Sequence, residues 1–134
     1  MGPEIIVMDS WAMIAYLEDE LSAPQVENIL VDSLQKGTQL LMTSVNLGEV
    51  WYNVARTYSI QTADQAIKDI KSLRVEIAPA DWDLTYLAAQ FKSSAKIAYT
   101  DCFAAALASI QGAELVTGDP EFHQFESKIK IHWV

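Results

Sequence analysis

Ten residues, Tyr99-Thr100-Asp101-Cys102-Phe103-Ala104-Ala105-Ala106-Leu107-Ala108, constrain the fold of this chain more than any others. Ala and Leu favour helix, Thr100 stands where it can cap the start, and Gly112 stops the helix after Gln111. A helix that is apolar on every side has no face for water, so it runs through the interior of a domain. Its single acid, Asp101, falls in the first turn, where a carboxylate also complements the helix dipole.

The remaining segments supply the layers that bury it. Glu4-Ile5-Ile6-Val7-Met8 is a short apolar run rich in β-branched residues, the pattern of a strand covered on both faces. Leu40-Leu41-Met42, Arg74 to Ala78, Glu114 to Thr117 and Lys130 to Val134 read as further strands. Between them the spacing predicts helices from Trp11 to Asp19, Ser22 to Lys36, Asn46 to Tyr58, Thr62 to Leu73 and Ala80 to Phe91, and a short helix after Asp119. Strands alternating with helices imply one α/β domain over residues 1–134 with a mainly parallel sheet and right-handed crossovers.

No apolar run approaches the roughly 20 residues that span a bilayer, and Met1-Gly2-Pro3-Glu4 does not open a signal peptide. Cys102 is the only cysteine, so a reducing cytoplasm is expected, with no membrane association. The formal net charge of −9 repels nucleic acid at long range and, taken alone, argues against binding it.

Four acids change that reading. Asp9 follows the first strand, Glu49 falls in the first turn of the helix after the second, Asp101 opens the central helix, and Asp119 follows the fourth strand. In an open parallel sheet these junctions gather at the carboxyl edge, where ligands bind. Each acid also has an ordinary role: Asp9 and Asp119 as helix caps, and Glu49 as the acid of a capping box begun by Asn46. Together they repel, by roughly 4 kcal/mol for a pair about 4 Å apart at an effective dielectric near 20. Clustered carboxylates take up protons or a cation. An all-oxygen set points to Mg²⁺ or Mn²⁺, which polarises phosphate and generates hydroxide from water. Such a cation would turn an acidic pocket into a phosphate site.

Val7-Met8-Asp9-Ser10, Asn46-Leu47-Gly48-Glu49-Val50, Tyr99 to Ala106 and Leu115-Val116-Thr117-Gly118-Asp119-Pro120-Glu121-Phe122 resemble the acidic motifs of PIN-domain ribonucleases, in particular VapC-type toxins of prokaryotic toxin–antitoxin pairs. The resemblance spans essentially the whole chain. It implies a PIN-like three-layer sandwich with a five-stranded sheet, and Mg²⁺- or Mn²⁺-dependent endonucleolytic cleavage of RNA. A cognate antitoxin and a homodimer are implied as partners. By motif, Asp9, Glu49, Asp101 and Asp119 are the catalytic and metal-binding acids. Asp9 and Asp101 are then the direct ligands, with Glu49 or Asp119 acting through water, and Ser10 and Thr117 are supporting hydroxyls. Trp11 departs from the family pattern, which has a smaller or polar residue there.

Basic residues are few. Lys92 and Lys96 precede Asp101, and Arg56 lies seven residues after Glu49, so these are the candidate phosphate contacts. Trp51, Tyr52 and Tyr58, with Leu30 and Leu34, are candidates for an antitoxin groove. His123 and His132 lack metal-ligand spacing. Two alternatives remain: a phosphoacceptor signalling domain, which needs a Lys near the end of the last strand, where Lys130 instead stands at its start, and a non-catalytic PIN-like binding module.

Overall fold

The computed structural model describes residues 4–134; Met1, Gly2 and Pro3 lie outside the described residues. The chain runs β1 (Ile5–Met8), α1 (Ser10–Leu17), α2 (Ala23–Lys36), β2 (Gln39–Thr43), α3 (Ser44–Thr57), α4 (Ile60–Ser72), β3 (Val75–Ala78), α5 (Trp82–Ser93), α6 (Tyr99–Gln111), β4 (Glu114–Thr117), a short 3₁₀ segment (Pro120–Phe125) and β5 (Ile131–Trp133). All five strands are parallel, in the order β3-β2-β1-β4-β5.

That order follows from burial. β1 is flanked by β2 on one side and β4 on the other, with Val7 opposite Leu41 and Leu115. Successive side chains of a strand face opposite sides of the sheet. Val7, Leu41 and Leu115 therefore pack with Leu84, Phe91, Phe103, Leu107, Phe122 and Phe125 from α5, α6 and the 3₁₀ segment. Met8, Met42 and Val116 face the other way, onto Val26, Val50, Val54, Ala63 and Ile70 from α2, α3 and α4. The result is three layers, helix–sheet–helix, with β2, β1 and β4 covered on both faces and the edge strands β3 and β5 partly exposed.

The central helix is buried as its composition requires. Every residue of α6 from Asp101 to Ala108 is buried, and Ala104, Ala105 and Ala106 are fully inaccessible. Small side chains let α6 sit close to the sheet and to α5. It ends at Gly112, whose φ of +59° is a left-handed conformation that other residues adopt at a cost.

Several boundaries differ from those the sequence predicts, because capping side chains sit elsewhere. Thr43 caps α3, its hydroxyl accepting from Asn46 N at 3.0 Å. Asn46 thus lies inside the helix, there is no capping box, and Glu49 falls in the second turn. Ser59 caps α4 at Thr62 N, so that helix begins two residues earlier. Asp81 caps α5. Thr100 does not cap α6: the cap is Ala98, and Thr100 is free to turn its hydroxyl toward Glu49. Arg74 adopts φ +65° and stands before β3 rather than in it.

The tight seat of α6 gives a direct test. Ala105→Leu adds volume with no void to receive it and should destabilise the protein by about 1–3 kcal/mol or more, read by urea denaturation.

Candidate active site

The chain leaves β1 toward β2 and β3 on one side, then returns to β4 and β5 on the other. The point where the order reverses lies between β1 and β4, and in open parallel sheets ligands bind at the carboxyl ends of the strands at such a point. Asp9 follows β1 at this point and is completely buried. One carboxylate oxygen caps α1, accepting from Ala12 N at 2.8 Å. The other accepts from the hydroxyl of Thr117, the last residue of β4. Thr117 Oγ1 in turn accepts from Asp119 N at 3.1 Å. One buried hydroxyl therefore orients two acids.

Asp119 caps the 3₁₀ segment, with one oxygen accepting from Glu121 N at 3.0 Å. Gly118, between Thr117 and Asp119, is compelled by contact: a Cβ there would fall 2.2 Å from two ring carbons of Trp11. The half-buried indole thus presses on the loop that carries Asp119, which is core packing placed at the rim of the site.

Glu49 reaches in from α3. One oxygen accepts from Ser10 Oγ, while the other accepts from Thr100 Oγ1 at 3.1 Å and lies 3.4 Å from the Tyr52 hydroxyl. Asn46, fully buried one turn earlier, donates from its amide to the carbonyl of Thr100 at 3.0 Å. This ties α3 to the first turn of α6 and fixes Asp101, which is 8% exposed. The Asp101 carboxylate accepts no hydrogen bond from the described residues. It faces Asp119 and Glu121 instead, and one oxygen from each of these three acids lies within 4.8 Å of the others.

The electrostatics are those of an unneutralised cluster. Burial, opposed by the bonds from Thr117 and Ala12 and reinforced by the charges of Asp101 and Asp119, pushes the Asp9 carboxyl up to about 8. Burial and then the charges of Asp119, Glu49 and Glu121 push Asp101 up to about 7. Among the described residues no Lys or Arg forms an ion pair with any of these acids. The donor set fits a hard divalent cation. Carboxylate oxygens are the ligands such a cation takes, and Asp101, Asp119 and Glu121 would supply them. Cys102 is no competitor as a ligand, since it is buried in the core and burial pushes its thiol up to about 11.

Asp9, Ser10, Glu49, Asp101, Thr117 and Asp119 are thus brought together from four junctions. Expectation and structure differ in emphasis. The sequence reading made Asp9 and Asp101 the direct ligands, whereas the tightest oxygens belong to Asp101, Asp119 and Glu121. Glu121 was missed; its signal was its place two residues after Asp119 across Pro120, which sets the turn. The basic candidates do not behave alike. Lys92 donates to the Ile97 carbonyl at 2.6 Å, and the Lys96 backbone is held by Gln124, while Arg56 lies over the Tyr52 ring. Of the groove candidates, Trp51 donates to Asp64 of α4, Tyr52 and Tyr58 are exposed, and Leu30 and Leu34 line one pocket with Val31, Tyr16 and Leu73.

A PIN-domain family model matches residues 6–128. No curated protein matches the chain in sequence. Solved structures match in fold. A chain of VapBC2 from Rickettsia felis, bound to a DNA fragment from its promoter, covers 96% of this chain and 97% of its own at 20% identity and a TM-score of 0.74. Mycobacterium tuberculosis VapC20, described as a Sarcin-Ricin loop cleaving toxin, covers 92% and 95% at 16% identity and a TM-score of 0.75. FitAcB from Neisseria gonorrhoeae covers 94% and 95% at 19% identity and a TM-score of 0.68.

The raised carboxyls set a pH dependence. Between their ordinary pKa of 3.8 and about 7 to 8, the folded metal-free protein holds protons that the unfolded chain has released. Stability therefore falls as pH rises through that window. Thermal melts in EDTA should show Tm dropping from pH 5 to pH 8, and Asp9→Asn, which keeps the cap and removes the charge, should raise Tm at pH 8.

Proposed function

The chain belongs to the PIN-domain family, and from that premise we propose that it is a metal-dependent endoribonuclease, the toxin of a toxin–antitoxin pair. The observation that carries this reading is the trio of oxygens from Asp101, Asp119 and Glu121 at the carboxyl edge of a parallel sheet, with buried Asp9 beside it and no cationic side chain paired to any of them. In the proposed site Asp101, Asp119 and Glu121 would hold Mg²⁺ or Mn²⁺, and the charge of Asp9 would add to theirs. When bound, such an ion polarises a phosphodiester and lowers the pKa of water. Glu49, held at both oxygens by Ser10, Thr100 and Tyr52, is fixed to orient the attacking water and accept its proton. Thr117 keeps Asp9 and the Asp119 backbone in register.

The toxin reading draws support from structures that share this fold, among them a toxin–antitoxin complex from Klebsiella pneumoniae and a member of the VapBC family of toxin–antitoxin systems from Mycobacterium tuberculosis. A cognate antitoxin and a homodimer are the proposed protein partners. Cytoplasmic action belongs to the same proposal; among the described residues no helix is long and apolar enough to cross a membrane. The phosphoacceptor alternative loses its remaining support, since Lys130 pairs with Glu114 at the start of β4, at the edge of the sheet opposite the acids.

Incubation with RNA should give endonucleolytic products in Mg²⁺ or Mn²⁺ and none in EDTA. Asp101→Asn should lower the rate by about a hundredfold or more while keeping the native circular dichroism spectrum. Wild-type cleavage that is indifferent to EDTA would exclude the metal reading. A well-folded protein that binds RNA in Mn²⁺ without cutting it would favour the non-catalytic module.

A further inference from the structure

The sequence has two arginines, Arg56 and Arg74, among 18 acidic residues. Surrounded by so many carboxylates, Arg56 nevertheless forms no ion pair with any described residue. Its guanidinium lies over the Tyr52 ring, 4.9 Å from the centroid. Tyr52 precedes it by one helical turn on α3, and the Tyr52 hydroxyl points at Glu49, 3.4 Å away. Glu49, Tyr52 and Arg56, spaced three and four residues apart, form a file along one side of α3 that leads outward from the acids.

A guanidinium laid on an aromatic face keeps its plane fixed and its N–H edge turned outward, the fork that a phosphate accepts through two oxygens. The guanidinium is carried back over Tyr52, and the tyrosine ring separates it from Glu49. It is therefore set beside the acids rather than among them, which suits a neighbouring phosphate on the same strand. Of the other cations, Lys92 donates to a backbone carbonyl and Lys128 lies over Phe91 at 5.7 Å, while Lys96 is held only through its backbone. In a chain of net charge −9, which repels RNA at long range, one well-held cation beside the site carries a large share of phosphate binding.

We propose that Arg56, braced by Tyr52, anchors a non-scissile phosphate of the RNA strand and so sets how the strand crosses the acids. This rests on the nuclease reading, and its test separates the two. Binding of a short single-stranded RNA to the Glu49→Gln protein, which keeps Asp101, Asp119 and Glu121, is followed in Mg²⁺ by fluorescence anisotropy as a function of salt. Arg56→Ala should weaken binding roughly tenfold or more and lower the slope of log K against log salt by about one. Arg56→Lys should restore the slope and only part of the affinity. Arg74→Ala, removing the same charge at the start of β3, should change neither. In the active protein, Arg56→Ala should raise KM about tenfold with kcat nearly unchanged, as loss of uniform binding does. Equal affinity and slope for Arg56→Ala overturns the anchor, as does a fall in kcat at constant KM. Weakened capture of an acidic antitoxin peptide with RNA binding intact also overturns it, assigning Arg56 to a protein partner. Absence of metal-dependent cutting by the wild type removes the nuclease reading and leaves the binding comparison to judge Arg56.

Discussion

The repulsion among carboxylates held at one sheet edge is the constraint on which the rest of this structure turns. Asp9 is wholly buried, Asp101 nearly so, and each feels the charge of its neighbours. A fold dominated by burial would not place them there unless something else fixed them. The packing does so. Their positions are set by the ends of β1 and β4 and the start of α6, which the apolar layers lock in place on both faces of the sheet. Topology imposes the cluster, and the core offsets its cost.

Hydroxyls and one amide convert that imposed cluster into a defined geometry. Thr117 links Asp9 to Asp119, while Ser10, Thr100 and Tyr52 converge on Glu49. Asn46 couples α3 to α6 through the Thr100 carbonyl. None of these partners carries positive charge, so they orient the acids without neutralising them. What is left unsatisfied is electrostatic, and a divalent cation answers it with one ion where ordinary salt bridges would require several side chains. Trp11 against Gly118 has the same character, a steric contact that holds the Asp119 loop at the rim.

Much of this was legible in the sequence because the strands are short apolar runs and the central helix is apolar all round. The identity of each acid at a strand-to-helix junction followed from that alternation. The parts that were not legible share a cause: they depend on side chains from distant segments. Asn46 has the local appearance of a helix cap, yet Thr43 takes that role and Asn46 reaches across 54 residues to the Thr100 carbonyl. Thr100, likewise cap-like in sequence, serves Glu49 instead. Glu121 stands two residues after Asp119, and only the turn of the 3₁₀ segment brings it beside Asp101. Among the aromatic residues of α3, Trp51 turns to Asp64 and Tyr52 to Glu49, which no local pattern could have told apart.

The central claim is that this acid cluster is a site for a hard divalent cation. The most direct measurement is an anomalous difference map from crystals soaked in Mn²⁺. One peak is expected at the carboxyl ends of β1 and β4, bonded to oxygens of Asp101, Asp119 and Glu121 and lost on Asp101→Asn. No peak at saturating Mn²⁺, with the acids ordered and apart, would contradict the cation site.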